Sequence, residues 1–132
     1  MKEKHMRFGD YIRRKRQVDL REITQGEMAK QLGMSLTYLS DIENGRKKPF
    51  GGETIEKFCA YLNLSDEEKA HIFDLAAKEK HAVPADIEDV LMYEDIGTMA
   101  RFALRESNAG NVTEEDWKSF IRKIEAKKKK GR

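Results

Sequence analysis

Two neighbouring groups of side chains could act on a charged, hydrogen-bonding surface. Leu36, Thr37, Tyr38, Ser40 and Asp41 stand on the side of a short helical stretch that its apolar residues leave free, and they offer methyl groups, hydroxyls and a carboxylate. Arg46, Lys47 and Lys48 follow as consecutive cations, and Pro49 holds Lys48 away from helical geometry, so they lie on a loop. Methyls, hydroxyls and carboxylates can tell one polar edge from another, whereas cations hold phosphate whatever it is attached to. Upstream, Gln25 opens another short helix, where its amide and the free backbone NH groups beside it suit an anion. Arg13 and Arg14 add charge on a still earlier helix, as phosphate contacts or as an ordinary solvated face.

These residues are positioned by the stretch from Thr24 to Gly45, which reads as two short helices joined by a tight turn. Thr24 and Glu27 have capping-box spacing: the hydroxyl accepts from the Glu27 amide, and the carboxylate reaches back to the Thr24 amide. Ile23 and Met28 form a hydrophobic staple across that cap, and Met28, Ala29 and Leu32 make an apolar stripe. Gly33 stops the helix by taking the left-handed conformation. Ser35 caps the next one, with a Met34 and Leu39 staple, an inner side of Leu39 and Ile42, and a stop at Asn44-Gly45.

The string Gln25, Ala29, Gly33 and Glu43-Asn44-Gly45 resembles the helix-turn-helix of the phage repressor and Cro-like (Xre) family, over roughly Phe8 to Leu64. The resemblance implies that helix 36–43 reads the major groove of double-stranded DNA while the helix before it crosses the backbone. Leu36 and the Thr37 methyl would meet thymine methyls, Ser40 would donate or accept, and Tyr38 would reach a base or a phosphate. Asp41 would accept from a cytosine amino group, or else stand in solvent or in a salt bridge. None of these five is Arg or Lys, so the common bidentate guanine contact is missing unless Arg46 supplies it. The resemblance also implies that the loop of Arg46, Lys47 and Lys48 follows the DNA backbone. It implies too that Arg16 pairs with Glu43 and locks the two helices' relative pose.

Composition agrees with this reading without requiring it. The chain has 132 residues, 38% of them charged, and two prolines, which suits a helical protein with densely charged faces. Residues 1–50 hold 12 Lys and Arg against 7 Asp and Glu, a balance of +5. Residues 51–112 hold 6 against 13 and residues 113–132 hold 8 against 4, giving −7 and +4. A polyanion would attract the two ends and repel the middle. No signal peptide or apolar span is visible, and the one cysteine, Cys59, cannot form an internal disulfide, so a cytoplasmic protein with no membrane contact is expected. His5, His71 and His81 lie far apart, and no HExxH, CxxC or glycine-rich phosphate loop occurs. The expectation is a protein that is not an enzyme and needs neither metal nor cofactor.

The rest of the chain completes an all-α fold: a five-helix repressor-like DNA-binding domain plus a small helical C-terminal unit. Phe8, Tyr11 and Ile12 make the inward face of a first helix from Phe8 to Val18. Ile55, Phe58, Cys59 and Leu62 mark a fourth from Glu53 to Leu62, with Cys59 as a small core residue. Ser65 and Glu68 form a capping box for a fifth, through Ile72, Phe73, Leu75 and Ala76 to about Lys80-His81. Val83-Pro84 breaks the chain, so the expected domains are 1–81 and 82–132. Beyond it, a helix begun at Pro84 takes in Ile87, Val90 and Leu91. A second runs from Asp95 to Arg105 with Gly97 as a weak point, and Asn108 to Asn111 turn. Thr113 and Asp116 cap the last helix, which a Val112 and Trp117 staple anchors and whose Lys127 to Lys130 end frays.

A single motif reads few base pairs, so the expected protein is a homodimer on an operator, a sequence-specific transcriptional regulator acting as a repressor. Trp117, Phe120, Ile121 and Ile124, with Ile96, Met99 and Phe102, form the expected dimer surface, unless that face packs on its own domain. The competing reading is an antitoxin-like or protease-paired regulator, whose C-terminal unit binds a partner protein and whose DNA binding serves autoregulation.

Overall fold

The structure, a computed structural model, describes residues 6–17 and 22–131. Among the described residues there are eight helices and no strand: α1 (Phe8–Gln17), α2 (Gln25–Leu32), α3 (Leu36–Glu43), α4 (Gly52–Leu62), α5 (Asp66–Lys80), α6 (Glu88–Leu91), α7 (Ile96–Asn108) and α8 (Glu114–Lys130). The all-α class, with C-terminal helices after a helix-turn-helix, is thus what the chain adopts. Val18, the expected end of α1, and most of the loop after it lie outside the described residues. The chain divides into two compact units, Met1–Glu88 and Asp89–Arg132.

In the first unit, α1 to α5 close around one core. Phe8, Tyr11 and Ile12 of α1 meet Met28 and Leu32 of α2, Leu39 and Ile42 of α3, Ile55 and Phe58 of α4, and Ile72 and Phe73 of α5. Each helix contributes residues at helical spacing, so its apolar stripe sets its rotation about its own axis. Phe50 joins them from the loop between α3 and α4, edge-on to Phe8 with ring centroids 5.1 Å apart. Gly9 lets α1 cross the end of α3 closely: a Cβ there would stand 2.5 Å from the carbonyl oxygens of Ile42 and Glu43. Cys59 is buried as expected, and burial pushes its thiol up to about 11.

Around this core, polar groups tie α1 to α5. The Phe8 amide donates to Glu79 Oε2 at 2.7 Å, and buried Lys15 reaches Glu68 Oε2 at 2.7 Å while lying 5.1 Å from the Tyr11 ring centroid. That Lys15 contact, helped by the Ser65 amide, holds the Glu68 carboxyl down at about 2. Glu68 also completes the Ser65 capping box.

Several local readings change. Glu27 does not close its capping box on the Thr24 amide; its carboxylate accepts from the Thr24 hydroxyl at 3.2 Å, and that same hydroxyl accepts from the Glu27 amide. Ile87 falls in a turn rather than a helix, its amide bonded to the Pro84 carbonyl at 3.1 Å, because an i to i+3 closure precedes α6. Residues 82–88 go with the first unit, where Ala85 lies against Gly52.

In the second unit α7 continues past Arg105 through Asn108, and the turn is made by residues 109–112, with Gly110 at φ 90°. Gly97 is the buried residue of α7, and a Cβ would come 2.7 Å from the Val90 and Leu91 carbonyl oxygens, so only glycine allows that approach. The Thr113 and Asp116 capping box starts α8, and the helix runs through Lys130, its terminal cations complementing the helix dipole.

Candidate nucleic-acid interface

The two motif helices are set by their caps. Thr24 Oγ accepts from the Glu27 amide at 3.1 Å, and Gly33, at φ 70°, ends α2 with its amide on the Lys30 carbonyl. Ser35 Oγ accepts from the Tyr38 amide at 3.0 Å to start α3, and Gly45, at φ 79°, lets the chain leave it. Leu39, Ile42 and Glu43 face inward and are buried, which leaves Leu36, Thr37 and Tyr38 exposed and Ser40 and Asp41 half-buried. Leu36 is 52% and Tyr38 41% exposed on this outward side of α3.

Besides Leu39 and Ile42 in the core, one buried carboxylate holds α3 in place. Arg16 donates from Nε to Glu43 Oε2 at 2.9 Å and from Nη2 to Oε1 at 2.8 Å, a bidentate pair, and from Nη1 to the Ile23 carbonyl at 2.8 Å. Gln25 Nε2 donates to Glu43 Oε1 at 2.8 Å and Arg13 Nε to the same oxygen at 3.3 Å. Glu43 therefore joins α1, α2 and α3 at a single point. Arg16 and Glu43 are both almost fully buried, where an ion pair survives only because its donors and acceptors are matched this completely.

The site differs from the sequence expectation in how free its polar groups are. Gln25 and Arg13, read as phosphate ligands, direct donors at Glu43, and Arg13 also meets Asn44 Oδ1. Asn44 in turn donates to Ser40 Oγ at 3.3 Å, so the central clamp is wired to the outward face of α3. Arg46 Nε lies 3.1 Å from Asp41 Oδ1, and the Arg46 and Lys47 amides donate to the Asp41 carbonyl. Asp41 thus organises the start of the basic loop, and its carboxylate faces a cation. Arg14, Lys47 and Lys48 have exposed side chains.

Three residues at the site escape sequence reasoning. Asn44 reads as a helix stop, yet its side chain links Arg13 to Ser40. Arg7 sits against Gly45, adding a cation at the C-terminal end of α3; its one sequence signal is a basic residue just ahead of α1. Phe50, with buried Pro49, anchors the far end of the basic loop in the core, signalled only by an aromatic after proline in a polar stretch. Gly33, as expected, supplies the turn, and a Cβ there would meet no atom within 4 Å, so its backbone conformation alone calls for glycine.

A short capped helix crossing behind a second, outward-facing one, with cations at its exit, defines a helix-turn-helix domain. A family model described as a helix-turn-helix domain matches residues 7–72, half of the chain, and the chain belongs to that family. Over 58 residues the chain is 47% identical to the ImmF control region 10 kDa protein of Bacillus phage phi105, covering 44% of this chain and 61% of that relative's length. No solved structure matches the chain. Among the described residues, no helix is long and apolar enough to cross a membrane.

Proposed function

We propose that the protein is a sequence-specific repressor that binds an operator in double-stranded DNA as a homodimer, with α3 in the major groove. The observation that carries the reading is the combination of an α3 clamped from behind by Glu43 with an outer face that leaves Leu36 and Tyr38 half-exposed. A recognition helix needs a fixed pose before it can discriminate bases. Leu36, Thr37, Tyr38, Ser40 and Asp41 meet base edges, by methyl, hydroxyl and carboxylate contacts and with DNA shape contributing the rest. Lys47, Lys48, Arg46 and Arg14 neutralise phosphates, as do Arg13 and Gln25 through donors not turned to Glu43 and the free amides at the start of α2. The likeness to a phage control-region protein supports a role in regulation.

Selecting bound DNA from a random pool tests this. An enriched palindrome is expected, with half-sites centred about 10 base pairs or a multiple apart; a pool that yields no common sequence would overturn the reading. With five to seven phosphates neutralised per half-site, log affinity should fall against log salt with a slope of about −4 to −6 per monomer. Replacing Lys47 and Lys48 together with alanine should flatten that slope by about 2 and leave sequence preference intact. Thr37→Ala or Ser40→Ala should shift preference and leave the slope alone.

A further inference from the structure

From the buried Glu43 carboxylate to the outward face of α3, the direction of every hydrogen bond can be followed. Glu43 Oε1 accepts from Arg13 Nε at 3.3 Å, and Arg13 Nη2 donates to Asn44 Oδ1. A guanidinium has five donors and no acceptor, so the end of the Asn44 amide that meets it must be the carbonyl. The other end, Nδ2, faces Ser40 and donates to its Oγ at 3.3 Å. An amide nitrogen only donates, so the Ser40 oxygen accepts here and its own proton points elsewhere. A helical Ser or Thr commonly gives that proton to the carbonyl four residues back, as Thr98 does to Glu94 in α7. Among the described residues, the Ser40 hydroxyl makes its one hydrogen bond with Asn44, so its proton stays available. Ser40 and Asn44 line an open polar cleft of about 810 Å³, together with Thr24 and Gln25, and Ser40 is one helical turn from Leu36 and Thr37.

We propose that Asn44 is a positioning residue that fixes Ser40 as a hydrogen-bond donor, so that Ser40 selects a base presenting an acceptor and rejects cytosine. This rests on the operator-binding reading above and specifies the sense of one of its contacts. In the major groove thymine offers O4, adenine N7, and guanine N7 and O6, whereas cytosine offers only its N4 amino donor. A donor held against that amino group leaves both without the partners they had in water. The serine alone can face either kind of edge, since a hydroxyl both donates and accepts. Its direction is set behind it, by a carboxylate that accepts, a guanidinium that donates and an amide whose two ends must match them. Asn44 thus influences base choice through Ser40, one turn away on the same helix face.

Asn44→Asp tests the assignment, because it keeps the side chain's length and its contact with Arg13 but replaces the amide donor by an acceptor. Ser40 then donates to the new carboxylate and turns lone pairs to the DNA. Selection from a random pool with the full chain and with Ser40→Ala finds the position whose preference the serine sets. Duplexes carrying thymine or 5-methylcytosine at that position, which hold the methyl group constant, are then compared by titration. Wild type should favour thymine by about five- to tenfold, the net contribution of one hydrogen bond. Asn44→Asp should reverse the order, and adding Ser40→Ala to it should remove the preference. Asn44→Ala, which frees the hydroxyl to rotate, should erase the preference at that position and leave the others intact. A wild type that favours 5-methylcytosine, a Ser40→Ala protein with unchanged preferences, or Asn44 variants that keep the wild-type order would each overturn the assignment and leave operator binding standing. A pool from which wild type enriches no sequence overturns both.

Discussion

Among the described residues, the first unit buries 18 apolar ones between Phe8 and Ala77, while the second leaves ten large ones exposed between Val90 and Ile124. Local signals run the other way. α2 and α3, in the packed unit, have only 8 residues each, whereas α8 has 17, a full capping box and charges matched to both ends of its dipole. Isolated helices shorter than about 12–15 residues are marginal in water, so α2 and α3 exist because the core and the Glu43 clamp hold them. α8 can persist on local interactions, but its apolar face gains nothing until something covers it. The contrast separates two sources of helical order: tertiary burial, which fixes a pose, and local capping, which fixes only a shape. A recognition helix requires the first.

The comparison is broken most severely at matched aromatic residues. Phe58→Ala removes a fully buried ring and should cost about 3–5 kcal/mol in urea unfolding. Phe120→Ala, at a position 55% exposed, should leave the first unit's unfolding midpoint unchanged and weaken self-association instead. Equal losses at both positions would mean that the second unit has a core of its own.

Matched ion pairs sharpen it further. Glu43→Ala leaves Arg16 buried without its anion and should destabilise by about 3–5 kcal/mol, with operator binding lost in parallel. In the second unit, Arg122 and Glu115 lie 2.5 Å apart with side chains 60% and 72% exposed. Arg122→Ala should therefore shift thermal unfolding by no more than about 1 kcal/mol.

A smaller effect is set by pH and is read in the first unit. The Glu68 carboxyl sits at about 2 in the folded chain against an ordinary 4.5, chiefly because Lys15 hydrogen-bonds its charged form. Since the folded value is depressed, its contribution is complete above about 4.5 and is lost as pH falls toward about 2. Glu68→Gln should flatten the acid limb of the stability curve across that window. An unchanged limb would show that Lys15 and Glu68 are not coupled in solution.

Much of the fold is legible from local pattern. Thr24, Ser35, Ser65 and Thr113 each cap a helix at the place their spacing indicates, because a cap joins residues three apart and needs no distant partner. The apolar stripes of α1 to α5 likewise name most of the core. The site was less legible. Its residues could be listed, but Gln25 and Arg13 offer the same donors to a phosphate as to a carboxylate, and only the fold brings Glu43 within reach of both. Asn44 and Phe50 were missed for the same reason: one acts through residues of two helices, the other through a ring 42 positions away in the chain.

The sequence by itself determined that this is an all-helical chain with a two-helix motif, where those helices begin and end, and where the cations follow. Helical periodicity, capping and glycine conformations are properties of a few consecutive residues, so they survive without knowledge of the rest. The tertiary structure alone decided that one carboxylate holds three helices, that Gly97 marks a close approach, and that the second unit's own helices do not cover its apolar face. Those outcomes depend on which distant groups meet in space, and burial turns an ordinary Glu or Gly into the residue its surroundings require.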